Sequence, residues 1–227
     1  FDPSLSGALG FDPAVYCYGP DRFYAAAYLA ALKFAMELNS QDKLFEFTEA
    51  RHDFEEYIVR HKSFIKDICG GKGSRTRPLE SLMVMYRVVL QCFLDSRRNG
   101  EHVTDEQVIR KLLEQPALRT ILRVIEPLPE RQATPPNKPR KSFPKSVQQA
   151  AVLLATMSNR ERCPLCKARL APFSRSKDHI LEKNAGGDGT VGNLQHTHPY
   201  CNTGYKNKLR ARASRNGGTD NKAVTEV

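Results

Sequence analysis

Two stretches decide how the C-terminal third of this chain folds: Arg162–Cys166, "RCPLC", and Ser176–Asn202, "SKDHILEKNAGGDGTVGNLQHTHPYCN". Cys163 and Cys166 form a C-x-x-C pair whose turn is stiffened by Pro164. Alone, that pair suits a redox dithiol as well as half of a metal site. About 35 residues later His198 and Cys201 form an H-x-x-C pair. Two such pairs are what a tetrahedral Cys₃His zinc site needs, and four protein ligands leave no open position, so the expected Zn²⁺ is structural. His196 competes with His198, but it lies five residues from Cys201 and does not complete the compact knuckle. It is expected on the surface or facing DNA. Few large apolar side chains surround these ligands, and a core that small needs a metal staple.

Between the ligand pairs the pattern predicts a strand in "KDHILEKN", a turn in "AGGDG", the segment "TVGNLQHTH", and a helix beginning near Pro199. These elements would bring Asp178, His179, Asn193 and Asn202 to one side of the zinc. The order C-x-x-C, Asp-His, Gly-Gly, Asn-Leu-Gln, H-x-x-C-N and then lysines, from Cys163 to Lys208, resembles the HNH endonuclease family of ββα-metal fold. The resemblance implies that His179 is the general base, Asn193 the middle residue of the motif and Asn202 the last, an H-N-N variant. It implies that His198 replaces a cysteine of the commoner four-cysteine zinc set. It also implies a catalytic Mg²⁺ or Mn²⁺ on Asp178 and Asn202, with products carrying 5′-phosphate and 3′-hydroxyl ends. Lys206, Lys208, Arg210 and Arg212 prolong the last helix as a basic stretch, expected to contact DNA phosphates.

The charge distribution agrees with a polyanionic partner. The net charge is +10, yet residues 1–130 hold 17 Lys and Arg against 19 Asp and Glu, whereas residues 131–227 hold 18 against 6. An excess confined to one part of a chain is the footprint of a nucleic-acid surface. Residues 1–130 read as a helical domain. One helix is expected from Asp21 in "DRFYAAAYLAALKFAMEL", with Pro20 near its start, and a second carries a stripe of Leu44, Phe47, Phe54, Ile58, His61 and Ile65. "GGKGSRTRP" ends that helix. A third, "LESLMVMYRVVLQCFLDSRR", is apolar nearly all round and expected to be buried. Thr104 caps a fourth that Pro116 closes. His52, His61 and His102 have no metal-ligand spacing and are read as structural or solvated.

Residues 131–145 form a proline-rich linker, 146–212 the nuclease-like domain, opening on the helix "KSVQQAAVLLATM", and 213–227 a disordered tail. The expected fold is thus a mainly α helical domain plus a small α+β zinc-stapled ββα-metal domain. The helical part also resembles the segment that follows the ParB-like region in DUF262 bacterial defence proteins, on "AVYCYGPDRFYAAAYLAAL" and "SRTRPLESLMVMYRVVL". With no initial methionine, the chain is expected to be the C-terminal piece of such a protein, with a further domain upstream. No apolar run is long enough for a membrane span, and Cys17, Cys69 and Cys92 are scattered singly like reduced core residues, so a cytoplasmic location is expected. The rivals are a zinc-stabilised DNA-binding module without catalysis, and an interaction scaffold whose helices bind a partner or a second copy.

Overall fold

The computed structural model describes residues 9–20, 22–70, 78–122, 142–143 and 145–215, with the backbone alone for 145–147. α1 (Pro13–Tyr16) starts on a proline and is capped by Asp12, whose Oδ1 accepts the Ala14 N–H at 2.9 Å. The next helix begins later than expected, at Ala25. Tyr18 and Phe23 pair in an antiparallel bridge, and the Tyr24 N–H donates to the Cys17 carbonyl at 2.9 Å, so a tight turn occupies the start of the Ala-rich run. α2 (Ala25–Ser40) then buries Ala27, Ala30, Ala31, Phe34, Ala35 and Leu38, a single stripe of mostly small residues that lets neighbouring helices approach.

The stripe read as one helix from Leu44 to Ile65 is two, α3 (Leu44–Arg60) and α4 (Lys62–Gly70). His61 separates them, with φ −106° and ψ 39°, and its Nε2 lies 2.8 Å from Asp105 Oδ2. α5 (Pro78–Asn99) runs through the middle and packs on α2, α3 and α4 through Leu82, Met83, Tyr86 and Val89. It is less apolar all round than expected, since Glu80, Arg87 and Gln91 keep one edge in solvent. α6 (Asp105–Leu113) opens with a capping box: Thr104 Oγ1 accepts the Gln107 N–H at 3.3 Å, and Gln107 Oε1 accepts the Thr104 N–H at 2.8 Å. Pro116 then begins α7 (Pro116–Arg119). Rings of Phe34, Phe47, Phe54, Tyr16 and Tyr86 fill the centre, Phe34 stacked on Phe54 at 5.8 Å.

The second unit holds α8 (Lys145–Ser158), the hairpin of β1 (Ser176–His179) and β2 (Leu194–Thr197), and α9 (Lys206–Arg215), which follows a π-helical turn over Cys201–Tyr205. The strands are antiparallel, with Lys177 opposite His196 and His179 opposite Leu194. The chain is therefore a mainly helical body with a small two-stranded α+β unit. The segment expected to interrupt the helices after Gly70, most of the linker and the tail from 216 onward lie outside the described residues, while α9 itself runs three residues past Arg212. Among the described residues no helix is long and apolar enough to cross a membrane.

α3 holds the two units together because it carries a second stripe. Phe45, Glu49, His52 and Glu56 recur at four, three and four residues, beside the core face. Phe45 meets Tyr205 with ring centroids 5.1 Å apart, Glu49 pairs with Arg212 at 3.0 Å, and His52 Nδ1 lies 3.2 Å from the Lys167 carbonyl. Glu56 takes Arg169 at 2.6 Å and Arg162 at 2.9 Å. Further along, Asp12 pairs with Arg160 at 2.8 Å and Asp42 with Lys208 at 3.0 Å. Part of the basic excess of the C-terminal region is thus matched by acids of the helical body.

Candidate metal centre and hydrolytic site

Cys163 and Cys166 sit on a tight turn closed by the Lys167 N–H to the Cys163 carbonyl at 2.8 Å and the Cys163 N–H to the Ala168 carbonyl at 2.9 Å. Lys167 adopts φ 59° to make that turn. His198 and Cys201 enter from the end of β2 and the first turn of the closing helix. The ligand atoms of Cys163, Cys166, His198 and Cys201 all lie within 4.8 Å of one another, and all four residues are buried. The imidazole is already set for coordination: His198 Nε2 donates to the Arg169 carbonyl at 3.0 Å, which leaves the Nδ1 lone pair facing Cys166 Sγ at 3.4 Å and Cys201 Sγ at 3.7 Å. Hydrogen bonds from Cys166 and Cys201 hold the Cys163 thiol far below its usual range, while that donation pushes Cys166 up to about 12. Three sulfurs and one imidazole nitrogen at this distance make a closed four-ligand donor set that fits a structural Zn²⁺, which would hold the sulfurs as thiolates. Gly10 presses on the imidazole from the helical side: at φ +62°, a Cβ there would stand 2.7 Å from His198 Cδ2.

The hairpin has two unlike faces. Asp178 and Thr197 point inward and are buried, with Gln195 opposite Asp178 on the same face, whereas Lys177, His179 and His196 alternate to the outer face. On the inner face Asp178 accepts both short bonds from Lys206 Nζ, at 2.9 and 3.1 Å, and a third from Gln195 at 2.9 Å. Lys206 also pairs with Glu182 and reaches the His179 carbonyl at 3.2 Å. Asp178 and Lys206 are each about 4% exposed. This placement differs from two expectations. Lys206 faces a buried carboxylate rather than a phosphate, because the first turn of α9 lies against the inner face of the hairpin. Asp178 is closed by the same ammonium, so the donor set expected for a catalytic divalent ion does not fit as assembled.

Asn193 does what a loop staple must do. Its Oδ1 accepts the Leu181 N–H at 2.7 Å, and its Nδ2 donates to the carbonyls of Leu181 at 3.0 Å and Asp188 at 2.8 Å. The loop is pressed so tightly that a Cβ on Gly187 would stand 1.7 Å from the Leu181 oxygen. Asn202 ties the closing helix to β1, its Nδ2 donating to Ser176 Oγ at 2.9 Å and the Lys177 carbonyl at 3.1 Å. Its Oδ1 accepts nothing from the described residues. His179 ends β1 half-buried, with no hydrogen bond on its ring among the described residues. Asp188 lies within electrostatic reach: the Thr190 hydroxyl and amide hold its carboxyl below the usual range, and His179 adds a smaller pull.

The remaining basic residues of α9 split by side. Arg210 pairs with Glu182 next to Lys206, while Lys208 and Arg212 face Asp42 and Glu49 of the helical body, Arg212 lying 3.9 Å over the Phe45 ring. Residues around the site that the motif does not name are Arg175, Lys177, Glu161 and Asp188. The alternation "RSKDH" at 175–179 is the sequence signal for the first two. No protein-family model matches the chain, and neither a curated protein nor a solved structure matches it.

Proposed function

We propose that the hairpin and its closing helix form a DNA endonuclease of the HNH type, nicking a phosphodiester to leave 5′-phosphate and 3′-hydroxyl ends. The observation that carries this reading is the state of His179. It is a half-exposed imidazole at a strand end, free of ring hydrogen bonds among the described residues, while Asn193 ties the loop after it and Asn202 ties the strand before it. A general base needs that combination of fixed position and unspent lone pair. His179 would take the proton of a water as its oxygen attacks phosphorus, and the bond to O3′ breaks, O3′ leaving with a proton taken from bulk water.

The resemblance adds Mg²⁺ or Mn²⁺. With Asp178 closed by Lys206, only the Asn202 oxygen is on offer, and no step is assigned to the ion. The likeness of the helices to DUF262 proteins extends the proposal to an effector in bacterial antiviral defence. Supercoiled plasmid tests it: in Mg²⁺ or Mn²⁺ the wild type should nick, and His179→Ala should nick about 10² to 10⁴ times more slowly, with zinc content and melting unchanged. Near-wild-type nicking by the variant would remove the assignment.

One observation favours a second reading, the closed Asp178–Lys206 pair. A zinc-stabilised DNA-binding module without catalysis would keep that pair for structure. It predicts salt-dependent DNA binding by the wild type with no nicking under any divalent ion.

A further inference from the structure

Three cations of the closing helix, Lys206, Lys208 and Arg212, are turned away from a polyanion at this site. His179 lies on the outer face of the hairpin, and α9 lies against the inner face, where Lys206 binds Asp178. Lys208 and Arg212 turn toward Asp42 and Glu49 of the helical body. A strand of DNA lying where His179 can act therefore has the two-stranded sheet between itself and those side chains.

The outer face has its own cations. Lys177 stands two residues before His179 on β1, opposite His196 on β2, exposed and with no hydrogen bond or ion pair on its ammonium among the described residues. Arg175 stands two residues earlier again. It shares this side with His196, since both reach the same carboxylate: Arg175 Nη1 lies 3.2 Å from Glu161 Oε2, and His196 Nδ1 lies 3.1 Å from Glu161 Oε1. Both pairs are open to water, with the side chains 36 to 39% exposed. Such exposed pairs yield readily to a competing phosphate. Alternate residues of a strand advance about 6.8 Å, twice the roughly 3.4 Å axial step between phosphates of one DNA strand.

We propose that Arg175 and Lys177, with His196 beside them, form a phosphate track on the outer hairpin face that leads one DNA strand to His179. The track holds backbone and reads no bases, because it offers point charges and one guanidinium without a groove-entering element. This rests on the nuclease reading for what happens at His179, but its own content is where the backbone lies.

The test is anisotropy of the full zinc-loaded chain with a labelled 20-bp duplex from about 50 to 200 mM salt. Arg175→Gln with Lys177→Gln should lower the slope of log K against log salt by about two and weaken binding at least tenfold at the low-salt end. Lys208→Gln with Arg212→Gln should leave the slope within about half a unit. Unchanged zinc content and circular dichroism certify the fold of each variant. An unchanged slope for the hairpin variant, or a larger loss for the α9 variant, overturns the track. Tighter binding of an RNA duplex of the same sequence overturns the choice of DNA. A wild type that shows no salt-dependent DNA binding removes the proposed function along with the track. A wild type that binds through the track but never nicks removes only the catalysis.

Discussion

Arg51→Met should be among the most damaging single substitutions in this chain. Arg51 and Glu55 are one turn apart on α3, each 1% exposed, with Nε 2.7 Å from Glu55 Oε1. The guanidinium also donates to the carbonyls of Leu9 at 2.5 Å and Gly10 at 3.1 Å and lies over the Phe11 ring at 5.4 Å. Burial alone would lower its proton affinity, but Glu55, then Tyr16 and the sulfurs of Cys166 and Cys201, hold it above the ordinary arginine value. Methionine fills much of the volume and removes every donor. Glu55 would then keep two donors, the Tyr16 hydroxyl at 3.0 Å and the Arg169 N–H at 3.3 Å, neither of them charged. Stranding one partner of a buried pair costs about 3–5 kcal/mol. In a chain of this size that is a melting shift on the order of 10 °C.

The comparison that isolates the cause is Arg51→Met with Glu55→Leu, which removes both charges and should recover part of the loss, since the stranded carboxylate is then gone. Urea unfolding followed by near-ultraviolet dichroism gives both values. A double variant as unstable as the single one, or a single variant within about 1 kcal/mol of wild type, would refute the argument from a stranded charge.

Other expectations are smaller in scope. Cys166→Ser should cost most of the tightly held zinc and loosen the hairpin unit, because bound metal supplies folding energy to a core this small; metal analysis finding a full equivalent in a stable variant would count against the knuckle. Glu56 gives a pH signature. Burial pushes its carboxyl up, but the hydrogen bonds and charges of Arg169 and Arg162 outweigh this and hold it below the usual range. Its contribution is therefore present above the unfolded value near 4.3 and is lost as pH falls through the lower folded value. Wild type should exceed Glu56→Gln in stability by a constant margin above about pH 5, and the margin should shrink toward pH 3. A margin that grows on acidification contradicts the pairing.

The metal ligands were legible in the sequence because their spacing is local. A two-residue gap between His198 and Cys201 is a statement about one turn of chain, and it placed His198 in the cluster and left His196 outside, bound to Glu161. The cap at Thr104 was legible for the same reason, though its return bond from Gln107 was not read. The second stripe of α3 was not. Glu49, His52 and Glu56 are polar residues at helical spacing, which describes a solvated face just as well, and only the tertiary position of Arg212, Lys167 and Arg169 gives them partners. The burial of Lys206 was hidden likewise, since a basic run on a helix presents every face and the sequence does not say which one meets the hairpin. Strand parity could have warned of it: with His179 outward, Asp178 points inward, and a buried carboxylate requires a cation.

These two kinds of contact converge on one residue. Arg169 receives the His198 Nε2–H on its carbonyl, gives its own N–H to Glu55, and sends its guanidinium to Glu56 and, at 3.2 Å, to the Met157 carbonyl. The histidine tautomer that frees Nδ1 for the metal is thus fixed by a backbone segment that α3 holds in place. Arg51 reaches the same point from the other side, gripping the Gly10 carbonyl while Gly10 packs on the imidazole. The knuckle's own buried apolar set is Ala168 and Leu170 beside its cysteines, far too little to fix these positions alone. A bound metal would hold four ligands to one another, and α3 holds the segment that orients one of them. It follows that perturbing α3 at Arg51 or Glu56 should weaken zinc retention, although neither residue touches a ligand atom, and that zinc loss should soften the contact between α3 and α9. Cys166→Ser and Arg51→Met would then act on one cooperative unit, so their costs combined should fall short of their sum.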